Sequence, residues 1–217
     1  MDQRGAGAAM TDDAHGRSLP KLHIGAFNCG IEAWINTDIT MHLWIAKLPF
    51  AARALHLAGL LSDARYAEHR LGRFDGLRYM DLTKPLPFAD RSLSAVFSAH
   101  VFEHLFPDEV ERLSREIARV LAPGGVCRIV VPDMERIVAL YDPAAPQAFL
   151  RGVFEIERRG EVAFAHHWGF TRASLAALFS AAGCSQTYTR AYREGVCPDI
   201  DRLDNRPDES IFFEAIK

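Results

Sequence analysis

The chain has no Cys-x-x-Cys pair, no Gly-x-Gly-x-x-Gly phosphate loop, no long uncharged apolar run and no strong net charge. Its four cysteines (Cys29, Cys127, Cys184 and Cys197) are scattered. That spacing offers neither a zinc ribbon nor a redox pair and reads as reduced thiols of a cytoplasmic protein. The most apolar stretch, Leu43–Leu61, is broken by Lys47, Pro49, Arg53 and His56, whereas a membrane span needs about 20 largely uncharged residues. No membrane span is expected. The formal charge of −3 gives no basic field for nucleic acid, so none is expected as a partner. The first twenty residues hold acids and glycines where a secretory signal needs an apolar core, and they read as a flexible tail.

What is present is material for one full core. Over 217 residues, 49% are hydrophobic and 24% charged, which fits a single domain from residue 21 to 217. There is no internal repeat. Lys21–Gly25 and Trp34–Asp38 read as strands, the second ending on an acid. Residues 41–72 read as a helical, cap-like insertion with apolar stripes from Leu43, Ile45, Leu48, Leu55, Leu57, Leu60 and Leu61, and with breaks at Pro49 and Gly59. Such a stripe is more often core than substrate contact. It could also serve as an interface or a lid.

The clearest segment is 81–133. Leu77–Met80 is a strand candidate that stops at Asp81, and Leu93–Ala99 is a buried strand by its small and β-branched residues. A helix follows, expected to start with Asp108 as N-cap and Glu111 three residues on. Val110, Leu113, Ile117, Val120 and Leu121 mark its apolar face. Pro123-Gly124-Gly125 is expected to end it, and Val126–Val131 to form the next buried strand. Residues 134–165 read as interrupted helix. Thr171 reads as the cap of a further helix ending at Gly183, and Ser185–Tyr192 and Glu209–Ile216 as late strands around a polar loop. Alternating strands and helices of this kind build an open α/β sheet, whose ligands bind beyond the carboxyl ends of the strands.

Taken together, KLHIG, WINTD, DLTKPLPFADRS, VFSAHVFEHL, RVLAPGG, RIVVPD and ESIFFEAIK resemble the class I S-adenosylmethionine (SAM)-dependent methyltransferases, in particular the compact bacterial methyltransferase type 11-like proteins. The resemblance covers roughly residues 21–217. It implies a Rossmann-like α/β fold with helices on both faces of a mostly parallel seven-stranded sheet whose last strand is antiparallel. It also implies SAM as cofactor and S-adenosylhomocysteine as product. Gly25 and Ala26 would pass close to the methionine part of SAM. Asp38 would accept from the ribose hydroxyls, and Asp81 from the adenine amino group with Leu82 beside the ring. Ser98, Ala99 and His100 would line the cofactor. A strand-end carboxylate is an acceptor pair suited to a vicinal diol, and a sulfonium does not want the cationic cradle of a phosphate, so the missing phosphate loop favours SAM over a dinucleotide. The chain departs from the pattern at Phe27 and Ala33, where such families usually carry glycine.

Methyl transfer is an in-line displacement in which positioning supplies much of the acceleration. A base is needed only for the acceptor's proton. His100 is the first candidate, with His104 and His166 behind it. His166-His167-Trp168 reads as a loop packed by Trp168. The HVFEH run also matches the spacing of an inverted zinc-protease helix through His100, Glu103 and His104, but the segment is short for such a helix and no metal is expected. The acceptor would be a hydroxyl, less readily an amine, of a small molecule or glycan. The alternative is a methyltransferase-fold protein that binds SAM or a nucleoside with weak or no catalysis, or that acts as a partner subunit. A homodimer through the apolar 41–61 segment is compatible with either.

Overall fold

Short apolar runs bounded by turn residues become a seven-stranded sheet in the computed structural model, which describes residues 18–155 and 165–217. The strands are β1 (Lys21–Ile24), β2 (Trp34–Asp38), β3 (Arg78–Tyr79), β4 (Leu93–Ala99), β5 (Leu121–Pro132), β6 (Gln186–Arg190) and β7 (Ser210–Ile216). Their order in the sheet is β3-β2-β1-β4-β5-β7-β6. The first five are parallel, and β7 runs antiparallel to both its neighbours. From β1 the chain moves outward to β2 and β3, then returns to place β4 on the other side. This reversal opens a crevice at the carboxyl ends of β1 and β4.

The helices are α1 (His42–Lys47), α2 (Ala51–Leu57), α3 (Asp63–Arg70), α4 (Pro107–Val120), α5 (Met134–Ala139), α6 (Pro146–Phe154), α7 (Arg172–Ala181) and α8 (Ile200–Leu203). α4 buries Val110, Leu113, Ile117 and Val120 in the main core, each contributing about 1.5–3 kcal/mol. Its start differs from the expected one. Phe106 is the N-cap, Pro107 is the first helical residue, and Glu109 accepts from the Phe106 N–H at 2.9 Å. Proline's fixed φ pre-sets a helix start two residues earlier than an Asp108 N-cap would. Its end differs too. Leu121 is already extended and pairs with Leu93, so Pro123-Gly124-Gly125 lies inside the span of β5. Thr171 caps α7 as expected, accepting from the Ser174 N–H.

The insertion does break at Pro49 and Gly59, giving α1, α2 and α3, but its stripe is not core. Of the apolar residues expected to form it, Leu43 and Leu61 are buried while Leu48, Leu57 and Leu60 are 62–75% exposed. Residues 1–17 of the expected tail and the expected break at Gly160 lie outside the described residues. Leu19 and Pro20 are held, their carbonyls accepting from Ser94 Oγ (2.8 Å) and Ser94 N (3.0 Å). No helix among the described residues is long and apolar enough to cross a membrane.

The loop between β6 and β7 is more than a polar connection. Cys197, Ile200 and Leu203 pack into a second core on the other face of the sheet. Arg128 of β5, fully buried, donates to Asp204 and to the carbonyls of Glu194 (2.8 Å) and Ala191 (3.2 Å). Glu214 of β7, also fully buried, faces Arg128 and accepts from Cys197 N (3.0 Å) and Arg190 Nε (3.1 Å). A buried ion pair is tolerated only when its remaining hydrogen-bonding capacity is met, and here backbone groups of the loop meet it. The loop is thereby pinned to the sheet.

Candidate active site

A cavity of about 510 Å³ opens at the crevice between the ends of β1, β2 and β4, a size in the range of small-molecule sites. Gly25, Ala26 and Phe27 follow β1 into it, Asp38 and Ile39 end β2, and Asp81 and Leu82 follow β3. Ala99 and His100 close β4, His104 comes from the short 3₁₀ turn Phe102–His104, and Leu203, Asn205 and Arg206 come from the loop before β7. Apart from His166, which lies outside it, eight of the nine residues singled out in the sequence thus line one cavity. Ser98 does not. It is 1% exposed and its hydroxyl has no hydrogen-bond partner. Side chains alternate along a strand, so Phe97 and Ala99 reach the cavity and Ser98 points to the opposite face.

The first loop is built around Asp38. Its Oδ2 accepts from the Phe27 N–H at 3.0 Å and its Oδ1 from the Thr40 N–H at 2.7 Å. A carboxylate offers about four acceptor positions, so two remain for a ligand. Gly25 has φ +68°, and a Cβ there would lie 2.2 Å from Val101 Cγ2; only glycine fits. Phe27 and Ala33, which stand where the resembling families carry glycine, keep positive φ of 41° and 66°. A non-glycine residue in this region costs on the order of 1–3 kcal/mol. The Phe27 ring finds room away from the loop backbone, against Phe74 (5.6 Å between ring centres) and under the Arg65 guanidinium (4.7 Å). The glycine-like backbone survives the substitution because a small satellite core of Ala26, Leu43, Phe74 and Leu77 receives the ring.

Asp81 forms a local turn. The Thr83 hydroxyl (2.7 Å) and N–H (2.9 Å) donate to its Oδ1, and these bonds hold its carboxyl below the usual carboxylate range. Asn205 Oδ1 is buried on the cavity wall with no partner among the described residues. Asn205 and Arg206 were not legible in the sequence, where they sit in a polar loop without a motif.

His100 has φ +53° where the chain leaves β4. Its Nδ1 is 3.2 Å from Glu103 Oε1 and its Nε2 3.3 Å from Ser210 Oγ. His104 Nδ1 lies 3.1 Å from the Ala165 carbonyl, so Nδ1–H donates there and Nε2 keeps its lone pair. The zinc-protease reading of HVFEH fails on geometry: His100 ends a strand and only one 3₁₀ turn follows, so no helix carries both histidines on one face. The loop after residue 164 is also packed differently from expectation. Ala165 and His166 are buried, while Trp168 is 48% exposed.

His23, on the cavity wall, is 3% exposed between Trp34 and Phe97. Burial lowers its pKa from 6.5 to about 4. Below pH 6.5 the unfolded chain protonates this histidine and the folded chain does not, so stability falls with pH until about pH 4. Urea unfolding at pH 7 and pH 5 should show a loss of about 2 kcal/mol from this group. A His23→Gln variant should flatten that difference; an equal loss in the variant would show that His23 does not carry it.

Residues 50–129 match the family model described as "Methyltransferase domain". The chain is similar in structure to a SAM-dependent methyltransferase from Archaeoglobus fulgidus, at 15% identity and TM-score 0.52, over 92% of this chain and 86% of that one. It is similar to a SAM-dependent methyltransferase from Thermotoga maritima at 14% identity and TM-score 0.51, over 92% and 82%. The methyltransferase SibL, in its apo form, matches at 15% identity and TM-score 0.51, over 92% of this chain and 50% of its own length. Strand order, the antiparallel β7 and the family match define a class I SAM-dependent methyltransferase fold. S-adenosylmethionine is the cofactor of that class.

Proposed function

We propose that this protein binds SAM in the cavity between β1, β2 and β4 and methylates a hydroxyl of a small molecule or glycan. The observation that carries the reading is the convergence of Asp38, Asp81 and Leu82 at three strand ends of one cavity. Asp38 would hold the ribose diol with its free acceptor positions, and the Asp81 turn would hold the adenine amino group beside Leu82. The Asp38 carboxylate gives the cavity a negative group that a cationic cofactor favours, while Asp81 is paired with Lys84 at 3.2 Å. Bound there, SAM supplies an electrophilic methyl group whose C–S bond breaks with its electron pair leaving on the neutral thioether of S-adenosylhomocysteine.

The chain's own work is orientation and one proton transfer. Holding the acceptor in line with the methyl group accounts for much of the acceleration. A hydroxyl must shed its proton as it attacks, whereas a neutral amine can attack first, so a positioned base favours the hydroxyl. We assign the base to His100 Nε2, with the Glu103 carboxylate 3.2 Å from Nδ1 to stabilise the imidazolium by its charge and Ser210 as the group an acceptor hydroxyl would displace. Asn205 and Arg206 give the far wall a polar character suited to such an acceptor. The exposed apolar edge of α1, α2 and the turn between them, with Trp44 53% and Phe50 82% exposed, offers a lid or a homodimer contact.

Calorimetric titration with SAM and S-adenosylhomocysteine, followed by radiolabelled methyl transfer to a panel of hydroxyl and amine acceptors, tests the reading. Binding with transfer to hydroxyls supports it. In that assay His100→Gln should lower kcat by about 10²–10⁴-fold, with a much smaller loss of SAM affinity because His100 also lines the cavity. Binding without transfer to any acceptor would favour a non-catalytic SAM-binding role, and no binding would overturn the reading.

A further inference from the structure

Behind His104 lies a cluster that the methyl-transfer chemistry does not use in full. Glu103 is 1% exposed, and neither carboxylate oxygen accepts a hydrogen bond from the described residues. His100 Nδ1 approaches Oε1 at 3.2 Å without hydrogen-bond alignment. A carboxylate taken out of water without donors costs several kcal/mol, and buried charges are paired or coordinate metals. The groups that face it are histidines. His166, 7% exposed, packs edge-on against His104 with ring centres 5.1 Å apart. One ligand atom each from Glu103, His104 and His166 lies within 4.8 Å of the others.

Two further observations point the same way. The N–H groups of His167 and Trp168 both donate to the Glu103 carbonyl, at 2.7 and 3.1 Å, so backbone bonds already register the segment from 165 on the 3₁₀ turn. His104 Nδ1 faces the Ala165 carbonyl, the outer hydrogen bond that fixes tautomer and ring direction in metal-binding histidines. On its other side His166 meets the half-exposed Glu155, with Nε2 3.5 Å from Oε2.

We propose that Glu103, His104 and His166 form a binding site for a zinc-class divalent metal that clasps the 165–168 segment to the cavity wall. Two imidazoles and one carboxylate suit zinc and its borderline neighbours, while calcium and magnesium take oxygen ligands. Zinc ligands at about 2.0–2.2 Å in tetrahedral geometry sit roughly 3.4 Å apart, so ligand atoms within 4.8 Å of one another close by up to about 1.4 Å on the ion. The metal supplies the positive charge that Glu103 lacks, and Oε1 remains available to His100. His104 lines the cavity, so the ion would sit at its wall. The sequence spacing pointed to His100 as the second imidazole; the fold supplies His166 instead, 62 positions further along than His104.

The test uses the full chain, treated with chelator and dialysed, with zinc alone as the probe. Calorimetry and elemental analysis should find one zinc per chain, and cobalt(II) should give the visible bands of a low-coordinate site that zinc abolishes. His166→Ala and Glu103→Gln should each weaken zinc binding at least about 100-fold. Circular dichroism of each metal-free variant checks that it folds, and if His166→Ala does not, His166→Gln replaces it. His69→Ala, which removes a separate imidazole pair with His42 at 3.0 Å, should leave zinc binding intact. No stoichiometric uptake by the unmodified chain would overturn the proposal, as would uptake that survives both cluster variants or is lost in His69→Ala. SAM affinity measured on the same samples keeps this outcome separate from that of the methyltransferase reading.

Discussion

Asp38→Ala should weaken SAM binding by about 30- to 1,000-fold, from the loss of charge-assisted hydrogen bonds worth about 2–4 kcal/mol together. The residue acts twice. Its carboxylate holds the loop after β1 by accepting from Phe27 N and Thr40 N, and on the proposed reading its remaining acceptor positions take the ribose hydroxyls. Alanine removes both functions. Asn at this position keeps one acceptor oxygen and the side-chain shape, so Asp38→Asn should lose less, about 10-fold. Titration of SAM into the two variants separates the ligand contact from loop support: equal losses would mean that Asp38 is only a loop brace. Unchanged affinity in Asp38→Ala would remove the ribose assignment altogether.

Arg128→Met should destabilise the fold by about 3–5 kcal/mol, because it strands Asp204 and Glu214 as buried charges without their guanidinium. That is a large share of a total of about 5–15 kcal/mol. Glu214 retains Arg190 and the N–H groups of Val196 and Cys197, while Asp204 retains the N–H of Arg193 at 2.8 Å. Asp204 therefore suffers more. The double change Arg128→Met with Asp204→Leu should recover part of the loss, since an apolar pair can replace a buried ion pair. Urea denaturation measures all three proteins. A single-variant loss below about 1 kcal/mol would show that the network contributes little. The same network holds the segment carrying Leu203, Asn205 and Arg206, so Arg128→Met should also loosen the far wall of the cavity.

These cases show what a sequence carries and what it hides. β2 (Trp34–Asp38) and β4 (Leu93–Ala99) were legible to the residue, because each is an apolar or β-branched run ended by a polar turn. The start of α4 was misplaced because Asp108 and Pro107-x-Glu109 offer competing caps, and the proline's fixed φ prevails. Ser98 was placed with its neighbours as one block, although strand alternation turns it to the other face. The loop 193–209 looked merely polar because its anchors are remote: Arg128 and Asp204 stand 76 residues apart. The same distance effect hid His166 from Glu103. Local pattern specifies elements, and only the folded chain reveals which elements share a wall.

The departure from glycine at Phe27 has a physical resolution. Phe27 and Ala33 adopt the positive φ that glycine takes without strain, and the fold absorbs the cost by packing Phe27 against Phe74, His42 and Arg65. The residues that pack around Phe27 come from α1, α3 and the turn after α3, so the insertion 41–72 supports the first loop.

A crystal structure of the protein grown with S-adenosylhomocysteine tests the central claim most directly. The account predicts density for the nucleoside in the cavity at the ends of β1, β2 and β4, with the ribose hydroxyls within hydrogen-bond distance of Asp38 and the adenine between Asp81 and Leu82. Density for the nucleoside at any other place, or a cavity that stays closed to it at saturating concentration, would contradict the account.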